Sequence, residues 1–156
     1  MLSHQDYLKV IEKSTLTAVD VIFYYNNKIL LGLRNNNPAK GYFFTPGVRT
    51  RKLETLSMGI IRVGKMELDI DIEPDEAILI GVYDHIYENN FSNNKFGTHY
   101  VVNAYLMNLT KNQVEQINSD QQHSELKWIS LDKINDEPKV HQLVKNYLPN
   151  IIKNLK

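Results

Sequence analysis

The segment Gly47–Ile70 reads GVRTRKLETLSMGIIRVGKMELDI, and its apolar residues recur at the spacing of a helix face. Intervals of three or four residues place side chains on one side of a helix. We therefore expect a helix over residues 53–68. Two glycines, Gly59 and Gly64, each weaken it by about 1 kcal/mol relative to alanine. Its expected core-facing residues are Leu53, Leu56, Ile60, Val63 and Met66.

The same segment carries three charges that bear on function, Glu54, Arg62 and Glu67. At about 100° per residue, Glu54 and Arg62 lie on broadly the same side of a helix, and Glu67 lies farther round. From the residues alone, a solvated charged face explains this pattern. A functional face remains the alternative.

On either side of this helix, short strands and helices intermix without strict strand–helix alternation. Two strands in 16–34 meet at an Asn26–Asn27 turn, which is typical of a hairpin. We expect the remaining elements to be a helix over 3–13 capped by Ser3, a short strand at Tyr42–Phe44, strands at 77–87, 99–108 and 125–129, and helices at 111–117 and 138–155. The order predicts an α/β (α+β) domain with a mixed β-sheet, spanning residues 1–156 as one unit.

Composition excludes several classes of function. The 156 residues have balanced charges, 18 basic and 18 acidic, and contain no cysteine. Disulfides, thiolate metal sites and thiol nucleophiles are therefore excluded. Zero net charge gives no bulk attraction to nucleic acid or to a membrane surface. We expect neither partner, and we expect a cytoplasmic location because no apolar run resembles a signal peptide or a membrane span.

Several polar residues stand out elsewhere in the chain. Asp20 interrupts the apolar strand TAVDVIF, and either faces solvent at a strand end or is a functional carboxylate. His123 follows Gln122 in a polar run, and is either a surface residue or a general base.

Further candidates lie around the predicted helix and on the two long strands. Arg34 and Arg49 flank the loop before the helix, and are either solvated or bind phosphate through their planar guanidinium groups. For His85, His99 and Tyr100, structural hydrogen bonding is the simpler explanation.

Taken in order, the residues of the quoted segment resemble a degenerate Nudix box, G-x5-E-x7-R-E-U-x-E-E-x-G-U. Glu54, Arg62, Glu67 and Ile70 occupy matching positions. Four positions depart from the pattern, at Val48, Val63, Met66 and Asp69.

The whole chain is more similar to the GDP-mannose mannosyl hydrolase subfamily, which also lacks most of the usual carboxylates. The segments that carry this resemblance are LLGLRNNNPAKGYFFTPG (30–47), GVYDHIYENNFS (81–92), THYVV (98–102) and QHSELKWIS (122–130). The resemblance implies the Nudix fold, an α/β/α sandwich, and a homodimer.

The resemblance also implies a set of site residues. Mg²⁺, with Mn²⁺ as the alternative, would be bound by Glu67, by Gln122 and by a backbone carbonyl at Gly47 or Val48. His123 would be the general base. Phosphate and leaving-group contacts would fall to Arg34 and Arg49, with Asp20, His85 and Tyr100 as further active-site residues.

The implied reaction is attack of water on the anomeric carbon of a GDP-sugar, which releases GDP and free sugar by C–O cleavage. Two alternatives remain: a nucleotide-sugar-binding protein with weak turnover, and a pyrophosphohydrolase that cuts P–O. Val48 bears on the first alternative. A β-branched residue is costly at a positive φ and costs little in an extended backbone.

Overall fold

The computed structural model describes residues 2–119 and 125–155. A seven-stranded mixed sheet forms its centre, with the order β3-β2-β1-β6-β5; β4 pairs with β1, and β7 pairs with β2. The strands are β1 Leu16–Tyr25, β2 Lys28–Leu33, β3 Phe43–Phe44, β4 Gly47–Arg49, β5 Ile78–Tyr87, β6 Thr98–Asn108 and β7 Leu126–Ser130. The β1–β6 pair is parallel, whereas the other pairs are antiparallel.

Helices cover both faces of this sheet. They are α1 His4–Lys13, α2 Leu56–Val63, α3 Lys111–Ser119, α4 Gln142–Lys145 and α5 Leu148–Leu155. Because side chains alternate along β1, Val21 packs with α2 and α3 on one face, and Ile22 packs with α4 and α5 on the other. This layered arrangement confirms the predicted α/β/α fold class.

The N-terminal elements follow their sequence signals closely. The Ser3 hydroxyl accepts a hydrogen bond from Asp6 N at 3.1 Å and caps α1. Asn26 and Asn27 both have positive φ, 49° and 62°, as a two-residue hairpin turn requires.

The helix expected over 53–68 starts later and changes type. Thr55 caps it by accepting from Met58 N, so Leu53 lies before the helix and is 92% exposed. From Gly64 to Leu68 the chain forms a π-helical turn that ends at Asp69, with φ 52°. The wider turn changes which residue faces the sheet, so the expected core residue Met66 is exposed and Leu68 is buried.

The single C-terminal helix predicted over 138–155 is wrong. Residues 142–145 and 148–155 form two short helices, and Val140 makes an isolated bridge to Phe43 instead. Pro149 lacks the N–H that a continuous helix would use at that point. The break places Tyr147, which is fully buried, between the two helices and beneath β1 and β5.

Candidate active site

One cavity of about 270 Å³ collects the candidate residues that the structure describes. Its walls come from all seven strands, the loop after β2 and the π-helical turn. The candidates that line it are Asp20, Arg34, Gly47, Val48, Arg49, Glu67, His85 and Tyr100. The other two, Gln122 and His123, lie outside the described residues.

Asp20 lies in the floor of the cavity and does not face bulk solvent. The residue is 7% exposed, so the strand-end alternative is wrong. Its Oδ2 accepts hydrogen bonds from Thr45 Oγ1 at 2.9 Å and from the Tyr147 hydroxyl at 2.7 Å. Burial raises the pKa of Asp20 to about 6, while these two donors and the charge of Arg34 oppose the rise. The carboxyl group is therefore mostly ionised at neutral pH.

His85 extends this network from β5. Its Nε2 lies 3.1 Å from the Tyr147 oxygen. Burial lowers the pKa of His85 to about 4, so the ring is neutral at physiological pH. Because the Tyr147 proton is donated to Asp20, this geometry favours the tautomer in which His85 Nε2–H donates to Tyr147. The result is a buried chain of hydrogen bonds from His85 through Tyr147 to Asp20.

Strand β4 explains why glycine precedes Val48. Gly47 lies opposite Asp20 and Val48 opposite Val19 in the antiparallel pair. A Cβ on Gly47 would overlap Asp20 Oδ1. Val48 is not among the described residues with positive φ, so its side chain causes no backbone strain there.

The same pairing shows which carbonyl on β4 faces away from β1. Opposite residues in an antiparallel pair alternate between hydrogen-bonded and non-bonded positions. Backbone bonds flank β4 from Val21 N–H to Pro46 O and from Thr50 N–H to Thr17 O. The alternation makes Val48 a bonded residue and turns the Gly47 carbonyl away from β1.

Glu54 and Arg62 are not a solvated charged face. Arg62 Nε and Glu54 Oε2 lie 2.8 Å apart, and their side chains are only 16% and 9% exposed. Arg62 also donates from Nη2 to the Arg49 carbonyl at 2.7 Å. Through these contacts Arg62 on α2 connects the loop that contains Glu54 to the end of β4.

The two cavity arginines are held in different ways. Arg34 Nε donates to the Pro38 carbonyl at 2.7 Å, which holds the side chain against the loop at 35–38. Arg49 lies with its guanidinium carbon 4.6 Å from the centre of the Tyr7 ring. Both arginines line the cavity that contains Asp20.

Acidic groups are sparse around the cavity. Glu67 and Asp20 are the described carboxylates that line it, and Asp20 is engaged by Thr45 and Tyr147. No group of three His, Cys, Asp or Glu residues suited to a metal ion occurs within 2–119 and 125–155. A cation held in this part of the cavity would need backbone and ligand oxygens besides Glu67.

The sequence analysis missed Thr45 and Tyr147. Thr45 carried one available signal, because it lies two residues before Gly47 in the segment FFTPG. Tyr147 carried none, since it is 127 residues from Asp20 and was placed inside a continuous helix.

Comparison with known proteins identifies the family. The NUDIX domain profile matches residues 15–151. The chain belongs to the Nudix family. Hydrolysis is the general activity that membership supports, and Nudix hydrolases generally use a divalent metal ion such as Mg²⁺.

Individual relatives agree with this assignment. This Nudix chain is 31% identical over 118 residues to the low-salt glycan biosynthesis protein Agl8 of Haloferax volcanii, covering 76% of this chain and 72% of the relative. Its fold resembles the MutT NUDIX hydrolase of Burkholderia pseudomallei, with TM-score 0.67, 22% identity and coverage of 89% and 99%. It also resembles the NUDIX domain of Shewanella oneidensis NrtR complexed with ADP ribose, with TM-score 0.61, 18% identity and coverage of 99% and 100%.

No described helix in this Nudix chain combines the length and apolar character needed to cross a bilayer.

Proposed function

We propose that this protein is a Mg²⁺-dependent GDP-sugar hydrolase that breaks the C–O bond at the anomeric carbon and releases GDP and free sugar. The observation that supports this most directly is that eight residues implied by the subfamily resemblance line one cavity, although they come from five separate elements and the loop after β2. Glycan biosynthesis, in the name of the Haloferax relative, is compatible with a sugar-bearing substrate.

The choice of C–O over P–O cleavage rests on the small number of carboxylates. Two positions that carry glutamate in the usual Nudix box are Val63 and Met66 here. Val63 is fully buried in the core, and Met66 is 59% exposed. A cavity wall whose described carboxylates are Asp20 and Glu67 suits departure of a diphosphate better than activation of water for attack on phosphorus.

The donor set around Glu67 fits Mg²⁺, with Mn²⁺ as the alternative. Mg²⁺ prefers oxygen ligands and is commonly held by one or two carboxylates together with substrate phosphates. Glu67, the outward-turned carbonyl of Gly47 and the side chain of Gln122 would supply oxygens, with the Val48 carbonyl committed to strand pairing. When bound, the ion would neutralise charge on the departing diphosphate.

The chain's own residues would divide the remaining work. Arg34 and Arg49 bind the diphosphate and stabilise the negative charge that grows on it as GDP departs. His123 accepts a proton from the attacking water, as the base does in inverting glycoside hydrolysis.

The polar floor would bind the sugar side of the substrate. Asp20 offers an ionised carboxylate and His85 a neutral ring, whose orientation the Tyr147 hydroxyl fixes. Tyr100 adds a phenol to the wall near Arg49. Burial raises the pKa of Tyr100, so it remains protonated and can donate a hydrogen bond. As in the subfamily, we expect the protein to act as a homodimer.

The test is hydrolysis of GDP-mannose with Mg²⁺ in H₂¹⁸O, with product separation and mass spectrometry. C–O cleavage yields GDP and mannose with ¹⁸O in the sugar, and EDTA abolishes it. Incorporation of ¹⁸O into GDP, or formation of GMP and mannose 1-phosphate, would show that water attacks phosphorus and would overturn the proposal. GDP binding without turnover of any GDP-sugar would favour the binding-protein alternative.

Variants assign the roles. Glu67→Gln should lose Mg²⁺-dependent turnover, and His123→Ala should lose turnover while the protein still binds GDP. His99→Ala is the matched histidine control. His99 contacts Asp84 at 3.0 Å. The two residues alternate with Tyr100 and His85 along β6 and β5, so they lie on the opposite face of the sheet, and His99 is not among the described residues that line the cavity. The activity of the His99→Ala variant should equal that of the wild type.

A further inference from the structure

Tyr7 on α1 contacts two cavity residues from outside the cavity wall. Its ring lies under the Arg49 guanidinium, 4.6 Å from ring centre to guanidinium carbon. Its phenol is also close enough to Tyr100 to raise the pKa of that phenol, and Tyr100 lines the same cavity on β6. Tyr7 is half-buried and is not one of the described residues that line the cavity. It therefore affects the cavity through its two neighbours.

The stacking geometry leaves Arg49 able to bind phosphate. A guanidinium group has five N–H donors, and an aromatic face attracts its charge without accepting those hydrogen bonds in their usual directions. An unrestrained arginine loses considerable rotamer freedom when it binds a ligand. A ring that already restricts the side chain lowers that cost when the ligand arrives.

Tyr7 is itself supported by the loop between β5 and β6. Phe91 packs on Tyr7 with ring centres 5.2 Å apart, and on His4 at 5.3 Å. The loop holds Phe91 through Asn90, which is fully buried and whose side chain accepts from Ser92 N and Asn93 N and donates to the Phe96 carbonyl. The loop thus has a packed interior that determines where Phe91 lies.

We propose that Tyr7 is a positioning residue that preorganises Arg49 for the diphosphate of the substrate, with Phe91 supporting its ring. The inference rests on the proposed function because it uses Arg49 as a diphosphate ligand. It extends that function to α1 and to loop 88–97, neither of which contributes a described residue to the cavity lining.

The experiment is a double-mutant cycle between Tyr7→Leu and Arg49→Gln, read as kcat, KM and the Kd for GDP with Mg²⁺. Tyr7→Leu should lower kcat/KM and weaken GDP binding by about two- to five-fold, the range of one exposed cation–π contact. In the Arg49→Gln background the same substitution should have no further effect, because its partner is gone. Tyr7→Phe keeps the ring and should retain most of the GDP affinity.

Controls separate this effect from general destabilisation. Tyr25→Leu removes a half-buried tyrosine at the far end of β1, and should leave kcat/KM unchanged. Equal losses from Tyr7→Leu in both backgrounds would overturn the positioning role. If the wild type forms GMP and sugar phosphate, the proposed function fails, but the cycle is still readable because either reaction requires a phosphate contact. If Arg49→Gln itself leaves GDP binding and turnover unchanged, the inference also fails.

Discussion

The Tyr147 hydroxyl donates to Asp20 Oδ2 at 2.7 Å and thereby ties the start of the last helix to the floor of the cavity. Tyr147→Phe removes this bond and leaves Asp20 with Thr45 as its side-chain donor. We expect a loss of about 1–3 kcal/mol in the free energy of unfolding, because a buried polar group loses its partner. Urea denaturation near pH 7 measures it.

A second tyrosine on the same side of the sheet is the control for this variant. The Tyr83 ring packs against that of Tyr147 with centres 4.8 Å apart, and its hydroxyl accepts from Asn150. Tyr83→Phe also deletes one hydroxyl, but none that contacts Asp20. We expect Tyr147→Phe to lower kcat strongly and Tyr83→Phe to leave it near wild type. Equal kcat values in the two variants would contradict a role for the network.

Asp20 and His85 should affect stability with opposite pH dependence. The pKa of Asp20 rises from 3.8 unfolded to about 6 folded, so its contribution to stability falls as pH rises through that window. The pKa of His85 falls from 6.5 to about 4 on folding, so its contribution rises with pH between those values. In the wild type the two contributions largely cancel between about pH 4.5 and about pH 6.

Single substitutions should reveal each contribution. In His85→Asn only the contribution of Asp20 remains. When the pH is raised from 4.5 to 6, the free energy of unfolding of this variant should fall by about 1–2 kcal/mol more than that of the wild type. Asp20→Asn should show the opposite trend. Urea denaturation at several pH values compares the three proteins. Parallel pH dependences in all three would show that neither pKa is shifted by folding.

Local patterns in the sequence predicted most of the architecture but little of the site's hydrogen bonding. Short apolar runs such as TAVDVIF and the Asn26–Asn27 turn are local signals, and they predicted the strands and the hairpin. One of the two partners of Asp20, Tyr147, is not local, since it lies 127 residues away. The π-helical turn before Asp69 could not be predicted from the apolar spacing either, because helical periodicity assumes a constant 3.6 residues per turn.

The candidate residues came from the order of motifs and not from any single one. Asp20 alone was compatible with solvent exposure, and Arg62 with a charged surface. Only the arrangement in space distinguishes these alternatives, because burial and partners depend on residues that the local pattern does not include.

The Glu54–Arg62 pair should be important for stability. Arg62→Met leaves the mostly buried Glu54 without its cation and removes a donor from the Arg49 carbonyl. We expect a loss of about 3 kcal/mol in the free energy of unfolding, as for other broken buried pairs. The double variant Glu54→Gln/Arg62→Met should lose less, since no buried charge remains. Equal losses in the single and double variants would indicate that packing, not the charge, is responsible.

Gly47 and Val48 should differ in their tolerance of substitution, although they are neighbours on β4. Gly47→Ala adds a Cβ that overlaps Asp20 Oδ1, so the carboxylate or β4 must move. We expect a loss of turnover of at least about ten-fold, as for other displaced catalytic groups.

Val48→Gly restores the usual residue but relieves no strain, because Val48 already has a negative φ. It should therefore change kcat/KM less than about two-fold and lower the free energy of unfolding by about 0.5–1 kcal/mol through glycine's extra flexibility. Steady-state kinetics and urea denaturation of both variants make the comparison. A large gain in turnover from Val48→Gly would mean that the valine, and not the close approach of Asp20 to Gly47, limits the site.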